Sequence, residues 1–261
     1  MNHIQEESVQ TIQRKLVDHL SPRAEESIVN DVRIGLGYTA VALEGGHTGV
    51  AWTAKTESNS CTHFSSAGSL TGRPASVLLA MLCHQTSPLA RTVGLATANA
   101  LLSTLPHPEA LPDEVIASLN LAPDDRVAMV GHFAPVATNI RKIGCQLDII
   151  ELKSGHGDTI SPEEGRTILA ECSVAIITAT SLINGTLNGL LADLNTPRAA
   201  VILGPSTPLC PEAFEGTAIT HLAGVRVKDG ETVLRIISEG GGTMLMKPHL
   251  EFVNLPLRQE A

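Results

Sequence analysis

Apolar residues recur every three or four positions at Val9, Ile12, Leu16 and Leu20. That spacing places them on one face of a helix, and Ser21-Pro22 predicts its end. From Val29 to Trp52 the period changes to two. Val32, Ile34 and Leu36 alternate with Arg33, Gly35 and Gly37, as in a half-buried strand. Val41 and Leu43 lead into Glu44-Gly45-Gly46-His47, and Val50 and Trp52 follow. A Gly-Gly pair between alternating runs predicts a hairpin turn. Pro74 opens a helix carrying Val77, Leu78, Met81 and Leu82. Ser87-Pro88 opens another, with Ser as cap and Pro as first residue. Its Gly94, Ala96, Ala98 and Ala100 let a second backbone come close, from this chain or from a second subunit.

The second half alternates short apolar strands with helices. Strands are predicted at Arg126–Val130, Leu147–Leu152, Val174–Ile177, Ala200–Leu203 and Gly224–Val227. Helices are predicted at Ala137–Ile143, after Ser161, at Leu182–Leu194, near Glu212 and at Thr232–Glu239. Ser161-Pro162-Glu163-Glu164 is a capping box, and Gly240–Gly242 reads as a helix stop or as an anion-binding nest. Strands of this kind, separated by helices, form a parallel sheet covered on both faces, a Rossmann-like arrangement. Between the halves stands Pro106-His107-Pro108-Glu109-Ala110-Leu111-Pro112, a stiff connector. Charge changes there too: residues 1–107 carry a net −1 and the remainder −8. The predicted class is α/β, with a smaller α+β domain over 1–107 and a Rossmann-like domain over 112–255.

The chain has 261 residues, enough to bury a core without staples. Its net charge of −9 argues against nucleic-acid partners and against docking on an anionic membrane. At 2% aromatic content, base-stacking platforms are not expected. No apolar stretch has the ~18–20 residues of a membrane span. The first residues lack a basic and then apolar signal pattern, and five widely spaced cysteines suit reduced thiols, so a cytoplasmic location is expected.

In an open parallel sheet, ligands bind where loops leave the strand C-termini. The first such loop is Gly131-His132-Phe133. It lacks the GxGxxG of an ordinary dinucleotide site. Glu151, 20 residues after Gly131, can accept from a ribose or stand as a solvated carboxylate. The third loop clusters Thr178, Thr180, Ser181, Asn184 and Thr186 at a helix start, more polar groups than a cap needs. The fourth, Gly204-Pro205-Ser206-Thr207-Pro208, is a stiff turn suited to hold hydroxyl and N–H donors for a ligand, or equally a structural turn whose hydroxyls bond the backbone. Ten histidines show no zinc-type spacing; His132 and the pair Cys61/His63 are the better metal candidates.

Several segments together resemble a prokaryotic family of heavy-metal chelation proteins. In the first half these are Gly35-Leu36-Gly37-Tyr38-Thr39-Ala40-Val41, Ala67-Gly68-Ser69-Leu70-Thr71-Gly72-Arg73-Pro74 and Gly94-Leu95-Ala96-Thr97-Ala98-Asn99-Ala100. In the second they are Val130-Gly131-His132-Phe133, Leu182-Ile183-Asn184-Gly185-Thr186-Leu187 and Gly204-Pro205-Ser206-Thr207-Pro208-Leu209. The resemblance spans roughly residues 8 to 245. It implies an enolase N-terminal-like first domain, a site between the domains, and a role in metal or metallophore handling. Tyr38, Thr39 and Arg73 would then face the crevice, Arg73 as partner of a carboxylate or phosphate.

Three functions follow as expectations. One is an enzyme acting on a small polar or anionic molecule of chelator metabolism, with His132 as acid or base and Asn184, Thr186, Ser206 and Thr207 orienting charge. Another is a carrier or sensor of a metal complex, without chemistry. The third is an S-adenosylmethionine- or nucleotide-dependent transferase using Glu151. The expected partner is a small molecule or metal chelate, with a homo-oligomer as an option; no cofactor and no metal ligand set are assigned.

Overall fold

Thr11 sets the first element. Its hydroxyl accepts from the Arg14 N–H and opens α1, Ile12–Glu26. The structure, a computed structural model, describes residues 10–55, 63–84, 86–106, 109–111, 114–151 and 159–257. Val9, Cys61 and Leu152 of the sequence expectations lie outside them. The stop predicted at Ser21-Pro22 does not occur, because α1 runs through Pro22. Burial of Leu20 and Ala24 on the same face holds the two turns in line despite the missing N–H.

Three antiparallel strands follow: β1 (Val29–Ile34), β2 (Tyr38–Leu43) and β3 (Thr48–Trp52). Gly45 and Gly46 both have left-handed φ, 87° and 86°, in the predicted hairpin turn, which the Leu43 N–H closes by donating to the His47 carbonyl at 2.8 Å. Leu36 does not extend the alternation. It sits in the β1–β2 turn and is 82% exposed. Then come α2 (Ala75–Leu79), a 3₁₀ turn (Ala80–Cys83) and α3 (Pro88–Leu102), whose Ser87 hydroxyl accepts from the Ala90 N–H. α3 lies on β2 and β3. A Cβ at Gly49 would stand 2.1 Å from the Ala100 nitrogen, and one at Gly94 2.2 Å from the Leu82 nitrogen. The small residues of α3 therefore serve contacts within this chain rather than the second subunit offered as an alternative.

The second sheet is built from α4 (Val115–Ser118), β4 (Arg126–Val130), α5 (Ala134–Ile143), β5 (Gln146–Ile150), β6 (Thr159–Ile160) and α6 (Pro162–Glu171). β7 (Val174–Thr178), α7 (Thr180–Asn184), α8 (Leu187–Asp193) and β8 (Ala199–Leu203) continue it. A 3₁₀ turn (Pro211–Phe214), β9 (His221–Val227), α9 (Gly230–Ser238), α10 (Thr243–Met246) and β10 (Leu250–Pro256) complete it. The strand order is β10-β9-β8-β7-β4-β5-β6, parallel except for β10. The helix predicted as one piece over Leu182–Leu194 is two. Gly185, at φ 78°, ends α7 in the left-handed conformation and α8 starts afresh. Gly185 thus terminates a helix, and a Cβ there would stand 4.0 Å from the Arg91 guanidinium of the first lobe.

The lobes share apolar packing. One cluster runs from Leu16, Val41 and Leu95 through Leu182 and Ile202 to Phe214. Polar bonds cross the same boundary. Gln13 donates to the Leu182 carbonyl at 3.1 Å, Asn188 accepts from the Ile12 N–H at 3.1 Å, and Arg91 donates to the Ile183 carbonyl. Among the described residues, no helix is long and apolar enough to cross a membrane.

Candidate functional site

The order of the large sheet reverses between β4 and β7, so their outgoing loops border the crevice where doubly wound sheets take ligands. Gly131 has φ 88°, and a Cβ there would stand 3.0 Å from the Thr178 side chain. Gly204 has φ 123°, and its Cβ would stand 3.8 Å from the Phe133 ring. The loops after β4, β7 and β8 are therefore neighbours. The Thr178 and Thr180 hydroxyls pair at 3.0 Å. Glu151 is half-buried at the end of β5, and its N–H donates to the Ile160 carbonyl. His132 is exposed beside Phe133; Asn184 is exposed at the end of α7, and Thr186 is half-buried before α8.

Other hydroxyls of the expected site are already matched inside the protein. Ser181 is not the cap of α7, a position held by Ala179; its buried hydroxyl donates to the Thr178 carbonyl at 2.7 Å. Ser206 is 2% exposed, and its hydroxyl accepts from the Trp52 N–H at 2.8 Å. Thr207, equally buried, donates to the Ala223 carbonyl at 3.0 Å. Both tie the β8 loop in place, Ser206 across the lobe boundary, instead of standing open to a ligand. The reason is the stiffness that singled them out: a turn with two fixed φ angles packs well, and packing needs its polar atoms satisfied. The Thr39 hydroxyl pairs with that of Thr53 at 3.0 Å in the core. The Tyr38 hydroxyl meets that of Thr243 at 2.8 Å, and burial raises its pKa above the usual phenol range. Arg73 is exposed and closes its own turn, donating to the Ser69 carbonyl at 3.1 Å.

The lobes do enclose a small cleft, of about 80 Å³. One wall is the C-terminal end of α3, with Asn99 and Ser103, and the start of β3. The other is Pro205 and Thr207 of the β8 loop with Arg226 of β9. Asn99 braces the junction, its side-chain amide donating to the carbonyls of Val50 (2.9 Å) and Ser206 (3.3 Å). Arg226 is 14% exposed and lies 3.6 Å from the Glu251 carboxylate. His19 of α1 and Glu212 complete the rim. His19 Nε2 is 3.9 Å from Glu212 Oε2, and the Cys210 thiol donates to the same oxygen at 3.4 Å. Burial pushes the Cys210 thiol up to about 12, and the nearby carboxylate adds to this.

His19, Cys210 and Glu212 were not singled out from the sequence. Cys210-Pro211-Glu212 is a local signal, a thiol and a carboxylate two residues apart. His19 lies far away in the chain, so no spacing links it to them. Of the metal candidates that the sequence suggested, Cys61 lies outside the described residues, and His63 and His132 are exposed.

Fold and cleft together define a two-lobed α/β protein whose small antiparallel lobe covers one edge of a doubly wound sheet. Two family models match it, DUF4213 over residues 17–102 and DUF364 over residues 114–256, both described as "Putative heavy-metal chelation". The second spans more than half of the chain, and the protein belongs to this heavy-metal chelation family. An uncharacterised protein of Methanocaldococcus jannaschii is 28% identical over 163 residues, 60% of this chain and 62% of that one. The chain thus matches about three fifths of that relative's length. The crystal structure of a DUF364-family protein of unknown function from Pyrococcus horikoshii is similar with a TM-score of 0.83 at 24% identity, over 95% of this chain and 100% of that one. A second, from Desulfitobacterium hafniense DCB-2, gives 0.80 at 23%, over 94% and 97%. At these identities the likeness is one of fold.

Proposed function

We propose that the protein is a binding module for a small polycarboxylate chelate of a metal ion, held in the interlobe cleft. One observation carries this: the cleft draws its lining from both lobes and sets the guanidinium of Arg226 and the hydroxyl of Ser103 around one space. A guanidinium and a hydroxyl suit carboxylate oxygens. A carrier or sensor fits better than an enzyme, because Ser206 and Thr207, expected to bind the ligand and orient charge, are engaged in the fold. The test uses cobalt(III)–EDTA, an anionic chelate whose ligands do not exchange, and calorimetry. The wild type is expected to bind it, and Ser103→Trp, which fills the cleft from the end of α3, is expected to abolish binding with little change in Tm. Failure of the wild type to bind, or unaltered binding by Ser103→Trp, removes the proposal.

A second function is favoured by the place of Gly131, Thr178 and Glu151 at the ends of the adjacent strands β4, β7 and β5. An adenosyl cofactor would lie across that edge, its ribose hydroxyls donating to Glu151. S-adenosylmethionine should then raise Tm, and Glu151→Gln should remove most of the rise. No thermal shift in the wild type rejects this alternative.

A further inference from the structure

Cys210 and Glu212 flank Pro211 at the start of the 3₁₀ turn after β8, and α1 packs against that turn. This packing brings a thiol, an imidazole and a carboxylate together. Their ligating atoms all lie within 4.8 Å of one another, the one such group of three among the described residues. A tetrahedral ion with bonds of ~2.0–2.3 Å to such atoms holds each pair ~3.3–3.6 Å apart. The thiol–carboxylate separation is 3.4 Å and the imidazole–carboxylate separation 3.9 Å. The imidazole–thiol separation is at most 4.8 Å, and the side chains of His19 and Glu212 are 35% and 53% exposed, so both can shift by the roughly one ångström that closure needs. Cys210 is fully buried and fixes the floor.

The donor set selects the ion. Thiolate and imidazole suit zinc, cadmium and cobalt, whereas calcium and magnesium prefer oxygen cages. Charge balance agrees. With a divalent ion in place, the S–H bond breaks, an S–metal bond forms and the proton leaves to water. Thiolate and carboxylate then cancel the two positive charges and His19 stays neutral, so no net charge is left at the buried floor.

The geometry points to a metal site in which His19, Cys210 and Glu212 bind one borderline-soft divalent cation at the rim of the interlobe cleft. Three protein ligands leave a coordination position for water or a chelator. The site rests on the proposed chelate function only for the occupant of that position.

Titration of the metal-free full chain with Co²⁺ tests it, read from the thiolate-to-cobalt charge-transfer band and by zinc competition. One equivalent should bind. The band should persist in Cys83→Ser and vanish in both Cys210→Ser and Cys210→Ala. His19→Ala and Glu212→Gln, at exposed side chains, should weaken Co²⁺ binding by at least about tenfold, an effect that even outer-shell partners of a metal carry. Tm without metal should stay unchanged in these two variants. A band that survives in both Cys210 variants, or wild-type affinity in His19→Ala and Glu212→Gln, or no band at all, overturns the site. Binding of cobalt(III)–EDTA without a Co²⁺ band would keep the cleft function and remove the metal site; a Co²⁺ band without chelate binding would do the reverse.

Discussion

Asp125→Ala is expected to lower the stability of the protein by ~3 kcal/mol, measured by urea unfolding at neutral pH. The Asp125 side chain is only 8% exposed. Its carboxylate accepts from Arg198 Nε at 3.0 Å, the Ser173 hydroxyl at 2.7 Å and the Ala122 N–H at 2.9 Å. Arg198 also donates to the Leu119 carbonyl at 2.9 Å. One carboxylate thus ties the turn before β4 to the starts of β7 and β8, at the N-terminal edge of the large sheet. The Arg198 guanidinium, ahead of the Ala122 and Ser173 hydrogen bonds, holds the Asp125 carboxyl well below the usual carboxylate range, although burial opposes it. Between that lowered pKa and ~3.9, the unfolded chain holds a proton that the folded one lacks. The stabilisation is therefore complete above ~4 and is lost as pH falls below it. Tm of the wild type should drop steeply across this acid window, whereas Asp125→Asn should start lower and drop less. Parallel Tm profiles for the two proteins would show that Asp125 is not the group responsible.

Arg91→Ala is the second large effect, ~3 kcal/mol, because it leaves two carbonyls without their charged donor and removes a packed stem. Arg91 is 9% exposed. It donates to the Ile183 carbonyl across the lobe boundary and to the His84 carbonyl at 2.8 Å. Burial lowers its pKa from the ordinary guanidinium value. Arg91→Lys should recover less than half of the loss, since an ammonium cannot fork between two carbonyls held by different elements. Urea unfolding of the two variants measures this. A loss below ~1 kcal/mol in Arg91→Ala, within the range of one ordinary hydrogen bond, would mean that Arg91 is not a principal tie between the lobes.

Much of the fold was legible locally. Gly45-Gly46 turns where its dipeptide predicts, Ser87 caps α3, and β4, β5, β7, β8 and β9 fall within a few residues of their apolar runs. The misses share a cause. Pro22 is a helix breaker in isolation, yet its helix continues because Leu20 and Ala24 are both buried. β10 was not foreseen because its buried positions, Leu250, Val253, Asn254 and Leu255, do not alternate. Leu182–Leu194 carries helical periodicity throughout, but Gly185 adopts a conformation that periodicity does not report.

The candidate site was less legible. Ser206 and Thr207 looked like ligand donors because a polar pair in a rigid turn has the same composition whether its partners are a ligand or the protein's own backbone. Only packing distinguishes the two, by placing the Trp52 N–H and the Ala223 carbonyl against them.

The sequence alone determined the alternation of strands and helices, the two-part organisation and the family resemblance, because these rest on short-range periodicity and ordered motifs. Tertiary structure decided which polar groups are spent on the fold and which meet at the cleft. It joined His19 to Cys210 and Glu212 by docking α1 against the turn after β8. Proximity between residues so distant in the chain is created by burying apolar surface, and no local spacing records it.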